Sequence, residues 1–374
     1  MIYLDNAATT KPDEEALGKA AKYYEENFWN PSALYVGGLA VKKKITEIKE
    51  SVLKYFPLGY ELIFVSCGSE ADNTAIFSFA RRGNAVTTSG EHSAVYESFT
   101  ELKKRGVETR FAKLNADGSV NVENLLDLID DKTTFVSVVH VNNETGAVND
   151  VNKIAKLVKK KNPNVAFHSD GVQAFGKIPF KMSDNIDLYS VSAHKIGGLK
   201  GVGGLIKKKS LAMSPLIHGG GQENGMRSGT ENVLGIIDFG IVAEKHLSRV
   251  SENFEKISIV KGVFLDNLDK RFVKIISGEN SSPYIVSFSA KGLRGEVIMH
   301  MLEEFGIVAG TGSACSSRQR HSRVLKNCGY GGDVLDGAIR ISFSDKSTES
   351  EALFAAEKIS ECIRKLKGVM DREI

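Results

Sequence analysis

At 374 residues, with 42% of them hydrophobic, the chain can bury a large core, and its length suggests two or three domains. A net charge of +3 is too small to argue for a nucleic-acid partner, and the lysine runs at 42–44, 159–161 and 207–209 are short enough to read as solvated surface. No apolar run approaches a membrane span and Ile2-Tyr3-Leu4-Asp5 opens without a basic-then-apolar leader, so a cytoplasmic protein with no membrane contact is expected.

Residues 1–14 read as an extended arm. Helical patterning follows over roughly 13–28 and breaks at Asn30-Pro31-Ser32; a second helix, about 39–55, ends before Phe56-Pro57-Leu58-Gly59. Strands and helices then alternate: strand 61–66, helix 69–82 stopped by Gly83, strand 84–88, helix 92–105, strand 107–112, a turn at Asn115-Ala116-Asp117-Gly118 and a short helix. Next come the apolar strand 135–141, helix 150–161, and strands 165–169, 187–191 and 201–207. This alternation predicts an α/β fold with a mostly parallel sheet flanked by helices. After Asn232 a helical stretch runs to about 270, followed by strands 272–277 and 284–289, helix 295–305, a strand around 339–343 and a closing helix 348–367. The expected division is an arm, 1–14, that joins a small domain; a large domain, 15–250; and the small α+β domain itself, 251–374. No internal repeat is visible.

Polar residues collect just past the strand ends, where open α/β sheets bind ligands. Lys195, in Ser190-Val191-Ser192-Ala193-His194-Lys195, follows a buried strand and is desolvated from one side. Its pKa can fall toward neutrality, and such an amine can form a Schiff base with an aldehyde. Alone, it reads as an ordinary solvated lysine. Its company changes that: Asp170, in Phe167-His168-Ser169-Asp170-Gly171-Val172-Gln173, ends the preceding strand. A lysine imine with an aspartate on the pyridine nitrogen is what pyridoxal 5'-phosphate requires of its protein. His92, in Thr88-Ser89-Gly90-Glu91-His92, supplies an imidazole able to stack on the ring.

Four cysteines, Cys67, Cys315, Cys328 and Cys362, fit neither a zinc site nor a disulfide framework, and free thiols suit a reducing compartment. Cys315 lies among small residues, Ala309-Gly310-Thr311-Gly312-Ser313-Ala314-Cys315-Ser316-Ser317, with little side-chain surface to anchor the loop. A lone cysteine is usually a small hydrophobe. Flanked by serines and followed by Arg318, Arg320 and His321, this one reads as exposed, with cations that favour its thiolate or else point into solvent. Arg340 stands in an otherwise apolar strand. A buried guanidinium needs an anion; a substrate carboxylate and an internal salt bridge are equal candidates.

The spacing of Lys195, Asp170 and His92 resembles that of the NifS/IscS-type cysteine desulfurases, within the class V aminotransferase-like pyridoxal-phosphate enzymes. The resemblance runs from Tyr3-Leu4-Asp5-Asn6-Ala7-Ala8-Thr9-Thr10 to about Arg340-Ile341-Ser342. It also rests on Val141-Asn142-Asn143-Glu144, His218-Gly219-Gly220-Gly221-Gln222-Glu223, Met226-Arg227-Ser228-Gly229-Thr230 and Gly312-Ser313-Ala314-Cys315. It implies a fold-type I transferase whose large domain, with a seven-stranded-type sheet, carries the cofactor and whose small domain carries the cysteine loop. The implied reaction converts L-cysteine to L-alanine and leaves a persulfide on Cys315, for a protein sulfur acceptor in iron–sulfur cluster assembly or tRNA thiolation.

The resemblance also assigns roles. Gly68 and Ser69 take the phosphate, although Ser69 reads equally as a helix N-cap, and Cys67 beside them as a buried small residue. Ser192 and His194 are further phosphate ligands. Asn143 and Gln173 contact the ring oxygen, Asn143 also the substrate; an ordinary turn asparagine is its competing reading. His92 stacks on the ring and moves protons, against a structural histidine, and Arg340 holds the substrate carboxylate. The glycines after His218 read as flexible backbone near the cofactor. Thr230 reaches the phosphate of a partner subunit and so implies a homodimer with shared sites.

Three positions depart from the family pattern: Tyr35 where histidine is common, Leu199 where proline is common, and Gly310-Thr311 where two serines are common. The rival functions are a selenocysteine lyase or class V aminotransferase that dispenses with Cys315, and a scaffold that has lost its chemistry. The chain ends soon after its last helix, without the longer tail by which some members dock a scaffold protein, so the acceptor is not legible.

Overall fold

In the computed structural model, which describes residues 1–311 and 321–370, the alternating strands come together in one seven-stranded sheet. The chain runs β1 (Ile2–Tyr3), α1 (Glu14–Glu26), α2 (Val36–Leu53), β2 (Tyr60–Val65), α3 (Gly68–Phe79), β3 (Asn84–Thr88), α4 (Ser93–Lys104), β4 (Glu108–Ala112), α5 (Val122–Asp127), β5 (Thr133–Ser137), α6 (Val151–Lys161), β6 (Ala166–Asp170), β7 (Leu188–Ser192) and β8 (Gly203–Lys208). It continues through α7 (Val233–Ser248), α8 (Val250–Asn267), β9 (Val273–Ile275), β10 (Ile285–Ala290), α9 (Gly295–Glu303), β11 (Ile307–Val308), α10 (Arg323–Asn327), α11 (Gly332–Asp336), β12 (Ala338–Ser342) and α12 (Glu349–Met370).

The large sheet has the order β2-β8-β7-β6-β5-β3-β4, with β8 antiparallel to both neighbours and every other pairing parallel. This is the mostly parallel α/β arrangement that the alternation predicts. All of its strands except the edge strand β4 are largely buried, because helices cover both faces. On α6, Val151, Ile154, Ala155 and Val158 recur at helical spacing and are all buried. The Asp150 side chain accepts from the Lys153 N–H at 3.0 Å and caps the helix. Burying three branched side chains at roughly 1.5–3 kcal/mol each outweighs that cap, so the apolar stripe seats the helix and the cap sets where it starts.

A second, antiparallel sheet, β12-β10-β9, packs with α8, α9 and α12 around its own apolar core, to which Leu4 and Ala7 of the N-terminal arm contribute. The arm is more than extended: β1 pairs in parallel with β11, Ile2 opposite Ile307 and Tyr3 opposite Val308. The helical stretch after Asn232 is two helices, because Arg249 leaves helical geometry at φ −119°, ψ 17°. Strand β5 ends at Ser137, short of the predicted 141; Val141 instead bridges to Val148, and the excursion between them carries Asn143.

Two of the lysine runs are solvated surface only in part: Lys160, Lys161 and Lys209 are exposed, but their neighbours are not. Lys207 is only 1% exposed and pairs with Glu61 at 2.7 Å; Lys159 and Lys208 both pair with buried Asp187, at 2.5 and 2.8 Å. Among the described residues, no helix is long and apolar enough to cross a membrane.

Candidate active site

The C-terminal ends of β2, β3, β6 and β7, with the segment after β5, open onto one cavity of about 260 Å³. Lys195 closes a single turn of 3-10 helix directly after β7. Its Nζ donates to the carbonyl oxygens of Ala7 at 2.6 Å and Ala8 at 2.7 Å, so the N-terminal arm receives the amine.

Asp170 is the last residue of β6 and is buried, with Oδ1 accepting from the Val172 N–H at 2.9 Å. Burial pushes its carboxyl up, against the opposing pull of His92 and Lys195. Asp72, from α3, is 1% exposed and pushed up further, by burial and then by the Asp170 charge. Asp72 Oδ1 has no hydrogen-bond partner among the described residues, and ligand atoms of Asp72, His92 and Asp170 lie within 4.8 Å of one another. Two carboxyls this close and this buried hold a proton between them more readily than two charges.

His92 is the N-cap of α4, and its Nδ1 accepts from the Ala94 N–H at 3.2 Å. That bond assigns the ring proton to Nε2, and burial pushes the imidazole pKa down, so the ring is neutral. His194 is also held neutral, pushed down to about 4 by burial and by Lys195; its Nδ1 meets Thr9 Oγ1 at 3.2 Å. Gln173 donates from Nε2 to the Ala7 carbonyl at 2.8 Å and lines the cavity, as does Asn143.

The cavity floor suits a phosphate. Gly68 opens α3, so free N–H groups and the positive end of the helix dipole face the cavity. A Cβ there would meet Val172 Cγ2 at 2.7 Å, so only glycine leaves the floor open. Ser69 follows on the same turn, and Ser192 Oγ is buried at the cavity wall with no hydrogen-bond partner among the described residues. An orphaned buried hydroxyl beside a helix start fits the phosphorylated cofactor that the sequence implies.

Arg340, on β12, is 3% exposed and makes the internal salt bridge while still facing the cavity. Its Nη2 donates to Asp5 Oδ1 at 2.7 Å and its Nη1 to the Asn143 carbonyl at 2.8 Å, yet it lines the cavity with Nε unpartnered among the described residues. Cys67 is half-buried and lines the cavity, where a buried structural residue was expected: as N-cap of α3 it sits at the cavity edge. Thr230 is exposed and faces a separate cleft with Ser66, Arg227 and Asn232, outside the main cavity of its own chain. The glycines after His218 are also away from it: His218 is exposed and lines a different cleft with Phe77 and Arg81. Cys315, Arg318 and Arg320 lie outside the described residues. His321 is described, and its Nε2 meets Asp336 Oδ1 at 2.8 Å.

The cavity wall also holds residues to which the sequence reading gave no role. Glu91, fully buried, is pushed up to about 8; its Oε1 accepts from Thr88 Oγ1 at 2.7 Å and the Val139 N–H at 3.0 Å. Arg323 donates to the carbonyls of Ser89 and Glu91, and its guanidinium stacks 3.7 Å from the Tyr96 ring centroid. Asp72 had one legible signal, an acid on the buried face of the helix that begins at Gly68. Arg323 had none, since a basic residue opening a short helix is usually surface.

The family model described as Aminotransferase class-V matches residues 2–353. The chain belongs to this family. Class-V aminotransferases depend on pyridoxal phosphate. Within the family, the chain is 37% identical to a protein named cysteine desulfurase IscS from Clostridium botulinum, over 97% of this chain and 94% of that one. Among solved structures, a NifS-like protein superimposes with a TM-score of 0.90 at 33% identity, covering 97% of this chain and 99% of that chain. A structure described as SspA in complex with cysteine superimposes with a TM-score of 0.80 at 26% identity, covering 93% and 100%.

Proposed function

We propose that the protein is a cysteine desulfurase that binds pyridoxal 5'-phosphate through Lys195, takes L-cysteine and passes its sulfur to Cys315. One observation carries the reading: Lys195 and Asp170, from neighbouring strand ends, line one cavity whose floor is open at Gly68 and carries the orphaned Ser192 hydroxyl. The near full-length likeness to proteins named cysteine desulfurase supports it.

Bound there, the cofactor supplies an electron sink that makes the substrate α-proton acidic and its carbon–sulfur bond breakable. Gly68, Ser69, Ser192 and His194 hold the phosphate, Asp170 holds the pyridine nitrogen, His92 covers the ring face, and Gln173 with Asn143 meets the ring oxygen. Arg340 takes the substrate carboxylate, which leaves the α-proton to the Lys195 amine. The Cys315 thiolate bonds to the substrate sulfur as the carbon–sulfur bond breaks; the carbon gains a proton and leaves as alanine, while Cys315 keeps the extra sulfur.

The same reading takes the protein as a homodimer in which Thr230 serves the partner's site. Its position outside the main cavity of its own chain supports this, as do the exposed Phe28, Leu34, Tyr35 and Val36 before and at the start of α2. It also divides the chain at 14 and 250, which the separate apolar core of the smaller sheet supports. Free Cys67, Cys328 and Cys362 suit a reducing, cytoplasmic setting, with a protein acceptor in iron–sulfur cluster assembly or tRNA thiolation.

Anaerobic incubation of cofactor-saturated protein with cysteine, followed by mass analysis of the Cys315 peptide, tests the reading. One added sulfur atom, with alanine released and both lost in Cys315→Ala, is the expected result. Alanine formation that survives Cys315→Ala would overturn it in favour of chemistry that does not need that thiol.

A further inference from the structure

Lys177 lies between β6 and β7, seven residues before the Asp184 turn region closes toward β7, and its side chain is 4% exposed. Desolvating an ammonium costs several kcal/mol, so a lysine here is expensive where a methionine would fill the same space. Its Nζ donates to Gln173 Oε1 at 3.0 Å. The other end of that amide, Gln173 Nε2, donates to the Ala7 carbonyl at 2.8 Å, and Lys195 Nζ donates to the same carbonyl at 2.6 Å. Lys177 is thus linked to Lys195 through one amide and one backbone oxygen.

The two lysines also share a space. Behind the main cavity lies a second one, of about 200 Å³, walled by both Lys177 and Lys195, with Tyr284, His246 and Asp345. The groups facing Lys177 are Lys195 and His194 from the turn after β7, Arg340 from β12, Asp345 just beyond it, and His246 from α7; the Tyr284 ring lies 5.9 Å away. Burial pushes the Lys177 amine down to about 7, Lys195 and Arg340 push it the same way, and Asp345 opposes.

We propose that Lys177 is a positioning residue for the cofactor site: it occupies the Gln173 carbonyl oxygen from behind, which leaves the amide nitrogen to serve the main cavity as a donor to an anionic ring oxygen. This rests on the reading of the main cavity as a pyridoxal-phosphate site. With one Gln173 N–H on Ala7 and the oxygen on Lys177, the second N–H is the group left for a ligand. A donor stabilises a ring oxygen anion, and so lowers the pH at which the neighbouring lysine–cofactor nitrogen gives up its proton.

The test titrates the visible absorbance of the reconstituted protein against pH for wild type, Lys177→Met, Lys177→Arg and Gln173→Leu, with cofactor affinity of each apoprotein measured by equilibrium dialysis. In Lys177→Met the midpoint is expected to rise by about one unit, with several-fold weaker cofactor binding, while Lys177→Arg keeps a donor to the Gln173 oxygen and stays near wild type. In the Gln173→Leu background, the further shift caused by Lys177→Met is expected to shrink. Superimposable titrations of wild type and Lys177→Met would overturn the role, and so would equal shifts in the Met and Arg variants, which would mark loop packing as the cause. Should Lys177→Met not fold, Lys177→Leu carries the same comparison. Wild-type protein that shows no visible band would overturn the cofactor reading and this inference together.

Discussion

The Asp5 carboxylate holds the Arg340 guanidinium at 2.7 Å, tying the N-terminal arm to β12 across nearly the whole chain. The contact keeps a buried cation from standing alone and fixes the plane of its fork. With Nη2 on Asp5 and Nη1 on Asn143, the arginine is oriented before any substrate arrives. Lysine at this position would keep the charge and lose the fork. Arg340→Lys is therefore expected to raise KM for cysteine by roughly 10–100-fold, the equivalent of one charge-assisted hydrogen bond, with a smaller change in kcat. Steady-state alanine formation measures both, and an unchanged KM would remove Arg340 from the substrate site.

Why some of this was legible and some was not has a physical answer. Strands β3, β6 and β7 are apolar runs ending in polar residues, so their positions, and with them Asp170 and Lys195, could be read from local pattern. Strands β1 and β11 have two residues each, too few for any periodicity, and exist because they pair with each other. The break between α7 and α8 falls at Arg249, with neither proline nor glycine to announce it. Lys207 reads as surface because lysine usually is, and nothing in the sequence singles out Lys177; what buries them is a partner distant in sequence or a cavity, and neither leaves a mark on the residues around them.

Ser192 supplies a prediction in which stability and binding part company. Its hydroxyl is buried with no partner among the described residues, an arrangement that costs about 1–3 kcal/mol wherever no ligand fills the role. Ser192→Ala removes that cost, so the apoprotein should melt at the same temperature or higher. The phosphate loses a donor, and cofactor affinity should fall by roughly tenfold or more. Differential scanning calorimetry of the apoprotein and a cofactor titration read the two effects. A lower melting temperature would show that the hydroxyl is already satisfied.

Gly68→Ala should lose both. The added Cβ comes within 2.7 Å of Val172 Cγ2 and 3.5 Å of Ser192 Cβ, so the floor of the cavity must shift to admit it. Overpacking of this kind costs about 1–3 kcal/mol, and it falls where the phosphate is proposed to sit. The apoprotein should melt lower and bind the cofactor more weakly, and the same two measurements separate this steric pattern from that of Ser192→Ala.

His168 gives a prediction about acid. It is fully buried between Ser137 Oγ, 2.8 Å from Nδ1, and Ser190 Oγ, 2.9 Å from Nε2, and burial pushes it down to about 3 from its ordinary 6.5. Above pH 6.5 it is neutral in both the folded and unfolded chain and adds no slope. Below 6.5 the unfolded chain takes up a proton that the folded chain refuses, so stability is lost at up to ~1.4 kcal/mol per pH unit until about 3. Glu91 acts in the opposite sense: folded, it keeps its proton up to about 8 where an ordinary glutamate loses it near 4.5, so its contribution is full in acid and disappears as pH rises through that window. The raw pH profile sums the two, but a comparison isolates the histidine. Urea midpoints of wild type and His168→Asn, taken at pH 7.5, 6 and 5, should converge as the pH falls, because the non-titrating variant lacks the acid penalty. A constant gap between the two curves would mean that His168 already takes up its proton in the folded protein.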